Sequence, residues 1–350
     1  MYPLQTERPY ALNQWYVAAW SHEVGRTIFE RKILGQSLVF YRTQAGKPIA
    51  MDNACPHRRY ALSNGRLEGD DIECAYHGFK FNGNGKCVHV PQQDKIPAAF
   101  VTRTYPLVEC WQWVWIWMGD PDKADPSLIP DSKWFKDKEP GWRGFAGAVD
   151  LLKARYMLLH ENLLDLSHLG FLHARNIGTP RVAQSAVEFE VRSDHMALWR
   201  NVNSDEFENQ PLGKLMGVKG LVDRVMEQQF FAPNLHITGP AFYSAREGGV
   251  NPGQSFGAFR VFHGITPETP TTTHYFWGCS RNFEIEDNEL DNIMRKFLRG
   301  VVDEDIEASE TIERLITTGG TLVPEISAIS DGAGLRGRRI MQSLIEKDLG

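Results

Sequence analysis

The first third of the chain shows the short, regularly interrupted hydrophobic pattern of β-structure. Three runs are rich in aromatic and β-branched residues: QWYVAAW (14–20), SLVFYR (37–42) and WQWVWIWMG (111–119). Glycine and asparagine clusters such as NGNGK (82–86) punctuate them, as they do at the turns of hairpins and meanders. This part of the chain is therefore predicted to be all-β.

The pattern changes after the segment GDPDKADPSLIPD (119–131), which is rich in proline and aspartate. Proline removes a backbone donor, so this segment suits neither a helix interior nor a central strand. We place a domain boundary there, between a first domain at 1–125 and a second at 126–350.

The second domain mixes both periodicities. A helical pattern at about 152–169 is followed by strand-like alternation to about 283, and long amphipathic patterns occupy 288–315 and 338–348. The predicted fold class is α+β: an N-terminal all-β domain, then a catalytic domain with an antiparallel sheet covered by helices.

Composition and charge narrow the function classes. The chain has 38 basic and 44 acidic residues and a net charge of −6, which gives no electrostatic reason to expect a nucleic acid or an anionic membrane as partner. No apolar run approaches the roughly 18 residues that cross a bilayer. The N-terminus lacks the basic start and apolar core of a signal peptide, so a cytoplasmic location is expected.

The cysteines are better explained as metal ligands than as disulfides. There are five, an odd number spread over a chain without an export signal. Two of them lie next to histidines, in the segments Cys55-Pro-His57 and Cys74-Ala-Tyr-His77.

These two segments form the first candidate site. Each offers one thiolate and one imidazole, so two loop tips can supply two sulfur and two nitrogen ligands, either to a zinc ion or to a two-iron cluster. Zinc modules usually pair Cys with Cys and His with His within a loop, and the mixed pattern therefore favours a Rieske [2Fe–2S] centre. Gly78, directly after the second histidine, suits a tight turn near a bound group.

A second candidate site lies in ENLLDLSHLGFLH (161–173). On a helix, Asn162, Asp165 and His168 share a polar face, which in an arbitrary protein is most simply a solvated stripe. His168 and His173 are five residues apart, and Gly170 between them allows the helix to end or kink so that both imidazoles reach one point. Two histidines with a distant carboxylate form the facial triad that binds non-haem Fe(II) and activates O2.

Together these motifs resemble the oxygenase component of Rieske non-haem iron oxygenases, in particular the vanillate O-demethylase and dicamba monooxygenase group. The segments that carry the resemblance are NQWYVAAW (13–20), CPHR (55–58), CAYHG (74–78), WVWIWMGDPDKADPSLIPD (113–131), ENLLDLSHLGFLH (161–173), ITPETPTTTHYFWGCSRNF (265–283) and DGAGLRGRRI (331–340). The cluster and histidine motifs identify the superfamily, and the last two segments point to the subgroup.

The resemblance implies roles for the first site. Cys55 and Cys74 would hold one iron of a [2Fe–2S] Rieske cluster, and His57 and His77 would hold the other. Arg59 is a departure, because relatives commonly have a smaller residue there.

The resemblance also implies roles around the mononuclear Fe(II). His168 and His173 would be ligands, and Asn162 would lie near the iron. Asp165 would link a ligand histidine to His77 of the partner subunit, so that electrons cross the interface of a homotrimer.

The third iron ligand is assigned by the subgroup's pattern. Asp287, Glu289 and Asp291 all lie at the start of the helix after CSRNF, and the pattern places the ligand at Asp291. The alternative for Asp291 is a charge at the N-terminus of a helix.

The function that follows is an O2-dependent monooxygenase acting on a substituted aromatic compound, by O-demethylation or methyl hydroxylation. Electrons are expected from a separate NAD(P)H-dependent flavin or ferredoxin reductase, because the chain has no G-x-G-x-x-G fingerprint and no four-cysteine ferredoxin loop. Two alternatives stay open: a ring-hydroxylating dioxygenase that gives a cis-diol, and a Rieske electron carrier without catalysis.

The substrate pocket is expected among the strands between about 200 and 283. His236, His263 and Trp277 are possible contacts, and each is also explained as an ordinary core or surface residue. Three basic residues of the last helical segment, Arg336, Arg338 and Arg339, favour a solvated helix start over an anion site.

Overall fold

The computed structural model describes residues 2–6, 8–131, 140–193, 195–246, 253–318 and 325–347. The chain divides into two compact units. The N-terminal unit comprises Leu12–Ile129 with Thr266–Pro270, and the C-terminal unit comprises Met1–Ala11, Pro130–Ile265 and Thr271–Gly350.

The boundary lies slightly later than the predicted 125/126, and the first eleven residues join the C-terminal unit. Asp125, the last residue of the predicted first domain, also belongs to the N-terminal unit, and its carbonyl accepts a hydrogen bond from Trp15 Nε1 at 2.8 Å. The N-terminal segment is tied to the C-terminal unit because the Tyr156 hydroxyl donates to the Pro9 carbonyl at 2.9 Å.

The N-terminal unit is built from three small antiparallel sheets, with strand orders β1-β10-β9, β2-β3-β4 and β5-β6-β7-β8. The strands are β1 (Gln14–Trp20), β2 (Phe29–Ile33), β3 (Gln36–Arg42), β4 (Pro48–Asp52), β5 (Arg66–Glu68), β6 (Asp71–Glu73), β7 (Lys80–Phe81), β8 (Cys87–His89), β9 (Leu107–Cys110) and β10 (Trp113–Met118). The predicted strands at 14–20, 37–42 and 111–119 are confirmed as β1, β3 and β10.

The C-terminal unit has one seven-stranded antiparallel sheet, of order β11-β17-β16-β15-β14-β13-β12. Its elements are β11 (Arg143–Leu152), α1 (Tyr156–Leu164), α2 (Pro180–Gln184), β12 (Glu188–Val191), β13 (Met196–Glu206), α3 (Pro211–Leu215), β14 (Leu221–Phe231), β15 (Leu235–Ser244), β16 (Ser255–Thr269), β17 (Thr272–Arg281), α4 (Asn288–Thr318) and α5 (Gly332–Lys347). The predicted α+β class with helices beside an antiparallel sheet is confirmed.

Helix α4 shows how the sequence positions this unit. Its buried positions recur every three or four residues, as on one face of an amphipathic helix. They are Leu290, Asp291, Met294, Leu298, Val302, Asp305, Ser309 and Glu313. Within the described ranges, no helix is both long enough and apolar enough to span a bilayer.

Candidate metal centres

The two Cys–His loops of the N-terminal unit have the same backbone geometry. In the first, the amide of Cys55 donates to the Tyr60 carbonyl at 2.9 Å, and the Cys55 carbonyl accepts from Arg59 at 2.8 Å. In the second, the amide of Cys74 donates to the Phe79 carbonyl at 2.8 Å, and its carbonyl accepts from Gly78 at 2.9 Å. These bonds close two matching turns, each with a cysteine at its base and a histidine near its tip.

The turns bring all four predicted cluster residues together. The Cys55 and Cys74 side chains are within hydrogen-bonding distance, and the rings of His57 and His77 have centroids 4.6 Å apart. The Nδ1 atom of His57 is buried, and none of the described residues forms a hydrogen bond with it. A buried ring nitrogen without a partner, on a turn that also carries a buried thiol, is a feature that a bound iron–sulfur group would complete.

The buried position of Cys55 makes its thiol hard to ionise. Burial raises the pKa of Cys55 to about 11, and the neighbouring Cys74 adds to the shift. A metal cation beside Cys55 would lower that pKa and allow the sulfur to bind as a thiolate. Both cysteines are buried and neither forms a disulfide, whereas His77 is exposed.

Arg59 occupies the position in the first loop that Gly78 occupies in the second. Both have a left-handed backbone, with φ of 59° and 73° respectively. That conformation is accessible to glycine and costs other residues energy. The departure noted at Arg59 therefore lies at a position where the backbone itself favours a smaller residue.

The helix that leads to the two histidines, α1, ends earlier than predicted. Helix α1 ends at Leu164, and the amide of Asp165 caps it by donating to the carbonyls of Glu161 and Asn162. His168 then starts a short 3₁₀ turn, and His173 follows in further turns. The expected break is confirmed, but it comes before His168 and not at Gly170.

His168, His173 and Asp305 form a cluster of potential metal ligands. One ligand atom from each lies within 4.8 Å of the others. Asp305 Oδ1 is 3.1 Å from His173 Nε2 and 3.8 Å from His168 Nε2. Two imidazoles and one carboxylate converging on one point form the donor set of a facial triad.

The Nδ1 nitrogen of each of these two histidines already forms a hydrogen bond. His173 Nδ1 donates to Glu304 Oε2 at 2.6 Å, and Asn176 Nδ2 donates to Glu304 Oε1 at 3.0 Å. His168 Nδ1 donates to the backbone carbonyl of Asp165. With Nδ1 protonated and held, both rings present an Nε2 lone pair to the site, as in carboxylate–histidine–metal arrangements.

The pKa of His173 also indicates a site for a cation. Burial alone would lower this pKa, but the hydrogen bonds and charges of Asp305 and Glu304 outweigh it, and the net shift is upward. Two carboxylates beside one buried imidazole leave negative charge, which a divalent metal ion would neutralise.

The prediction that Asp291 is the third ligand disagrees with the structure. Asp291 Oδ2 accepts from Arg143 Nε at 2.7 Å, and its Oδ1 accepts from Arg281 Nη2 at 2.8 Å. Both carboxylate oxygens therefore serve ion pairs that fix the first turn of α4. Asp305 lies fourteen residues further along the same helix, about 21 Å along its axis at ~1.5 Å per residue.

Asp165 and Asn162 lie at the end of α1, next to this cluster in sequence. The Asp165 carboxylate is half-buried, and its Oδ1 accepts from the Ser167 amide at 2.8 Å. Asn162 Oδ1 is buried and has no hydrogen-bond partner in the part of the chain that the structure describes. The link from Asp165 to a histidine of the site runs through its backbone carbonyl, so the bridging role of its carboxylate stays a prediction.

Sequence reasoning missed Asp305 and Glu304, although a signal was present. In VDEDIEASE (302–310), Asp305 falls on the same helical stripe as Leu298 and Val302. A carboxylate at a core-facing position needs a partner or a metal, because an isolated buried charge is costly.

The metal-ligand cluster opens into a cavity of the C-terminal unit. Its wall includes the three clustered residues and is otherwise mainly apolar, with Leu163, Leu166, Leu169, Ile177, Phe207, Leu212, Pro240, Phe242, Phe259, Val261, Leu298 and Val302 among its members. An apolar cavity with a few polar groups suits a small organic molecule.

Of the three predicted substrate contacts, only His263 is among the residues described as lining this cavity. Its Nε2 lies 2.9 Å from the Thr238 hydroxyl, and its Nδ1 lies 2.6 Å from the Tyr275 hydroxyl. His236 is fully buried behind the wall, and Trp277 is buried and donates from Nε1 to Asp150 Oδ2 at 3.2 Å.

The three arginines of α5 lie in different environments. Arg336 and Arg339 are exposed, as expected for a solvated helix start. Arg338 is half-buried and pairs with Glu161 of α1 and with Glu325. This residue therefore fixes α5 to the helix that precedes the histidines.

Two family models match the chain. The Rieske [2Fe-2S] domain matches residues 14–106, and the vanillate O-demethylase oxygenase C-terminal domain matches residues 152–347. Each match contains one of the two candidate centres.

Relatives and solved structures agree with these matches. The chain is 35% identical to the iron-sulfur subunit of the toluene-4-sulfonate monooxygenase system of Comamonas testosteroni, over 97% of this chain and 98% of the relative. It is 34% identical to the oxygenase component of dicamba O-demethylase of Stenotrophomonas maltophilia, over 86% of this chain and 88% of that one. The crystal structure of dicamba monooxygenase bound to 3,6-dichlorosalicylic acid superposes with a TM-score of 0.88 at 31% identity, covering 97% of this chain and 98% of the other.

These matches favour an oxygenase over an electron carrier, because the catalytic domain is matched as well as the cluster domain. A dicamba monooxygenase structure with non-haem iron has the same fold, with a TM-score of 0.81. The chain belongs to the vanillate O-demethylase group of Rieske non-haem iron oxygenases, as the oxygenase component of a multicomponent monooxygenase.

Proposed function

We propose that this oxygenase hydroxylates a methyl or methoxy carbon of a substituted aromatic compound. The observation that carries the proposal is the cluster of His168, His173 and Asp305 in the wall of an apolar cavity. The names of the relatives support the substrate class, since they include a toluenesulfonate monooxygenase and O-demethylases of dicamba and vanillate.

We assign the cofactors to the two centres. Cys55, Cys74, His57 and His77 would hold the [2Fe–2S] cluster, and His168, His173 and Asp305 would hold the mononuclear iron. When bound, the cluster supplies electrons one at a time and the iron supplies O2 activation.

The protein's own contribution is placement and exclusion of water. Glu304 and the Asp165 carbonyl hold the two imidazoles in one tautomer and orientation. The apolar wall holds an aromatic ring beside them and keeps bulk water out. For an aryl methyl ether, one O2, two electrons and two protons give a hemiacetal and water, and the hemiacetal collapses to a phenol and formaldehyde.

We further propose that the Asp165 carboxylate links this site to His77 of the partner subunit in a homotrimer. The resemblance and the half-buried position of Asp165 support this role. Asp165→Asn should keep both metals and slow turnover greatly. Turnover equal to the wild type would refute the bridging role.

As a component of a multicomponent system, the oxygenase works with a separate reductase. We propose a flavin- or ferredoxin-containing NAD(P)H reductase as that partner, and the cytoplasmic location stays a prediction.

The substrate class is tested with a panel of methoxylated, methylated and sulfonated aromatics, a surrogate reductase, oxygen uptake and product mass. Formaldehyde with a phenol, or a benzylic alcohol, is the expected product. A cis-diol would instead identify a ring-hydroxylating dioxygenase.

A further inference from the structure

A buried ion pair on the sheet of the C-terminal unit contacts the segment that follows His173. Its members are Asp205 of β13 and Arg224 of β14, whose side chains are each 1% exposed, and Asp205 Oδ2 lies 3.1 Å from Arg224 Nη1. Burial lowers the pKa of Arg224 to about 10, so the guanidinium stays charged near neutral pH. Burying both charges costs solvation free energy, which further hydrogen bonds from the same side chains offset.

A β-bulge in β13 places Asp205 on the same face of the sheet as Arg224. Arg224 is opposite Val202, whereas Asp205 is opposite Val222, so a step of three residues along β13 matches a step of two along β14. Because side chains alternate between the two faces, Asp205 would face away from Arg224 without the extra residue. Ser204, within the bulge, has a left-handed backbone with φ of 52°. The local backbone is therefore shaped to bring the two charges together.

Both members of the pair hold the chain after His173. Arg224 Nη1 and Nη2 donate to the carbonyl oxygen of Ile177 at 3.1 and 3.2 Å. The Thr179 hydroxyl donates to Asp205 Oδ1 at 2.8 Å. Two side chains of the sheet therefore hold this segment at two points.

The same segment fixes the backbone of His173. The His173 carbonyl accepts hydrogen bonds from the amides of Asn176, Ile177 and Gly178 at 3.0, 3.1 and 2.9 Å. Three bonds to one carbonyl leave this peptide group little freedom to move relative to the segment. The position of the His173 ring beside Asp305 therefore depends on where the sheet holds Ile177.

We propose that Arg224 and Asp205 are positioning residues for the mononuclear iron, because their ion pair holds the turn that carries His173. The inference rests on the proposed function, since it takes His168, His173 and Asp305 as the iron ligands. Both residues act through the segment after His173, and neither belongs to the ligand cluster. Removing a group that orients a metal ligand typically lowers metal affinity by about 10- to 100-fold.

The test removes the pair without leaving a buried charge. The double variant Arg224→Met with Asp205→Asn loses both charges together, so the fold should be kept while the two hydrogen bonds to Ile177 are lost. The Fe(II) affinity of the mononuclear site, measured on the full chain against a competing chelator, should fall about tenfold or more. The EPR spectrum of the nitric oxide adduct of this Fe(II) should change, while the rhombic signal of the reduced cluster should not.

Arg224→Lys is the conservative variant. Lysine keeps the charge opposite Asp205 but replaces the two-nitrogen fork of arginine with a single nitrogen. The Fe(II) affinity should therefore fall less than in the double variant, by about threefold. If the double variant does not fold, wild-type affinity in Arg224→Lys would overturn the inference.

Asp291→Asn is the matched control, because it breaks another buried ion pair of the same unit, with Arg281. It should lower the thermal midpoint, yet leave the Fe(II) affinity within about twofold of the wild type. An equal loss of affinity in this control would show a general effect of destabilisation and would overturn the inference.

Two further results separate this inference from the proposed function. Wild-type affinity and an unchanged nitric oxide spectrum in a folded double variant would overturn the role of Arg224 and Asp205 alone. Loss of the mononuclear iron in Asp291→Asn, with its retention in Asp305→Ala, would instead overturn the ligand assignment on which the proposed function depends.

Discussion

Removing one partner of the buried ion pair between Arg155 and Glu313 should strongly destabilise the C-terminal unit. Arg155 precedes α1, and Glu313 lies eight residues after Asp305 in α4. Arg155 Nε donates to Glu313 Oε2 at 2.6 Å and Nη2 donates to Oε1 at 2.8 Å, while the Arg155 amide also donates to Oε2 at 3.1 Å. The pair therefore sets the register of α4, and of Asp305, against the helix that leads to the histidines.

The expected magnitude follows from burial. The two side chains are only 8% and 6% exposed. Removing one partner of a buried pair leaves an uncompensated charge and costs about 3–5 kcal/mol. Glu313→Gln keeps the shape and one acceptor, so we expect a loss of about 3 kcal/mol in the free energy of unfolding.

The assay is urea unfolding of the variant beside Asp303→Asn as a matched control. Asp303 also lies on α4 and pairs with Arg299 at 2.5 Å, but its side chain is 62% exposed. This control should lose no more than about 0.5 kcal/mol. A loss below about 1 kcal/mol in Glu313→Gln would refute the reasoning.

The same pair predicts a pH dependence. Burial by itself raises the pKa of Glu313, but the hydrogen bonds and charge of Arg155 outweigh it, and the net pKa is lowered. The stabilisation is therefore full above the pKa of an unfolded glutamate, about 4.3, and is lost as pH falls through the folded value. In Glu313→Gln this part of the acid sensitivity should be missing.

Three further substitutions test the centres. Glu304→Gln should weaken Fe(II) binding about tenfold or more, measured against a competing chelator, because the hydrogen bond that orients His173 is weakened; unchanged affinity would argue against this support. Arg59→Gly should raise the free energy of unfolding by about 0.5 kcal/mol, and with it the thermal midpoint, because glycine adopts the left-handed backbone of this position without strain. Arg58→Gly, the control, should not raise the midpoint, and equal shifts in the two variants would contradict the reasoning. Gly178→Ala would place its Cβ 2.0 Å from the carbonyl oxygen of Leu169, a residue between the two histidines in sequence. The variant should lose about 1–3 kcal/mol in the free energy of unfolding and bind less iron. A wild-type thermal midpoint and iron content would count against this prediction.

Motifs whose residues lie close together in sequence could be predicted from the sequence alone. The Cys–His loops need only local turns, and their four residues come together as expected. Three strands of the first unit, β1, β3 and β10, were likewise predictable, because dense aromatic and β-branched runs between turns have few other solutions, whereas its shorter strands were not predicted.

The third iron ligand that we propose, Asp305, could not be predicted in this way, because it lies in an element far along the chain. Both Asp291 and Asp305 lie on the buried stripe of α4. What distinguishes them is the partner each meets, two arginines for Asp291 and two histidines for Asp305, and that depends on the tertiary register of the helix. The length of α1 was overestimated for a related reason, since the polar stripe continues past Leu164 while the hydrogen-bonded helix stops there.

Iron analysis of two aspartate variants tests the account most directly. Wild-type protein should contain about three iron atoms per chain, two in the cluster and one mononuclear. We predict that Asp305→Ala keeps the rhombic EPR signal of the reduced cluster but falls to about two irons, while Asp291→Asn keeps about three. Loss of the mononuclear iron in Asp291→Asn together with its retention in Asp305→Ala would contradict the assignment on which the proposed function depends.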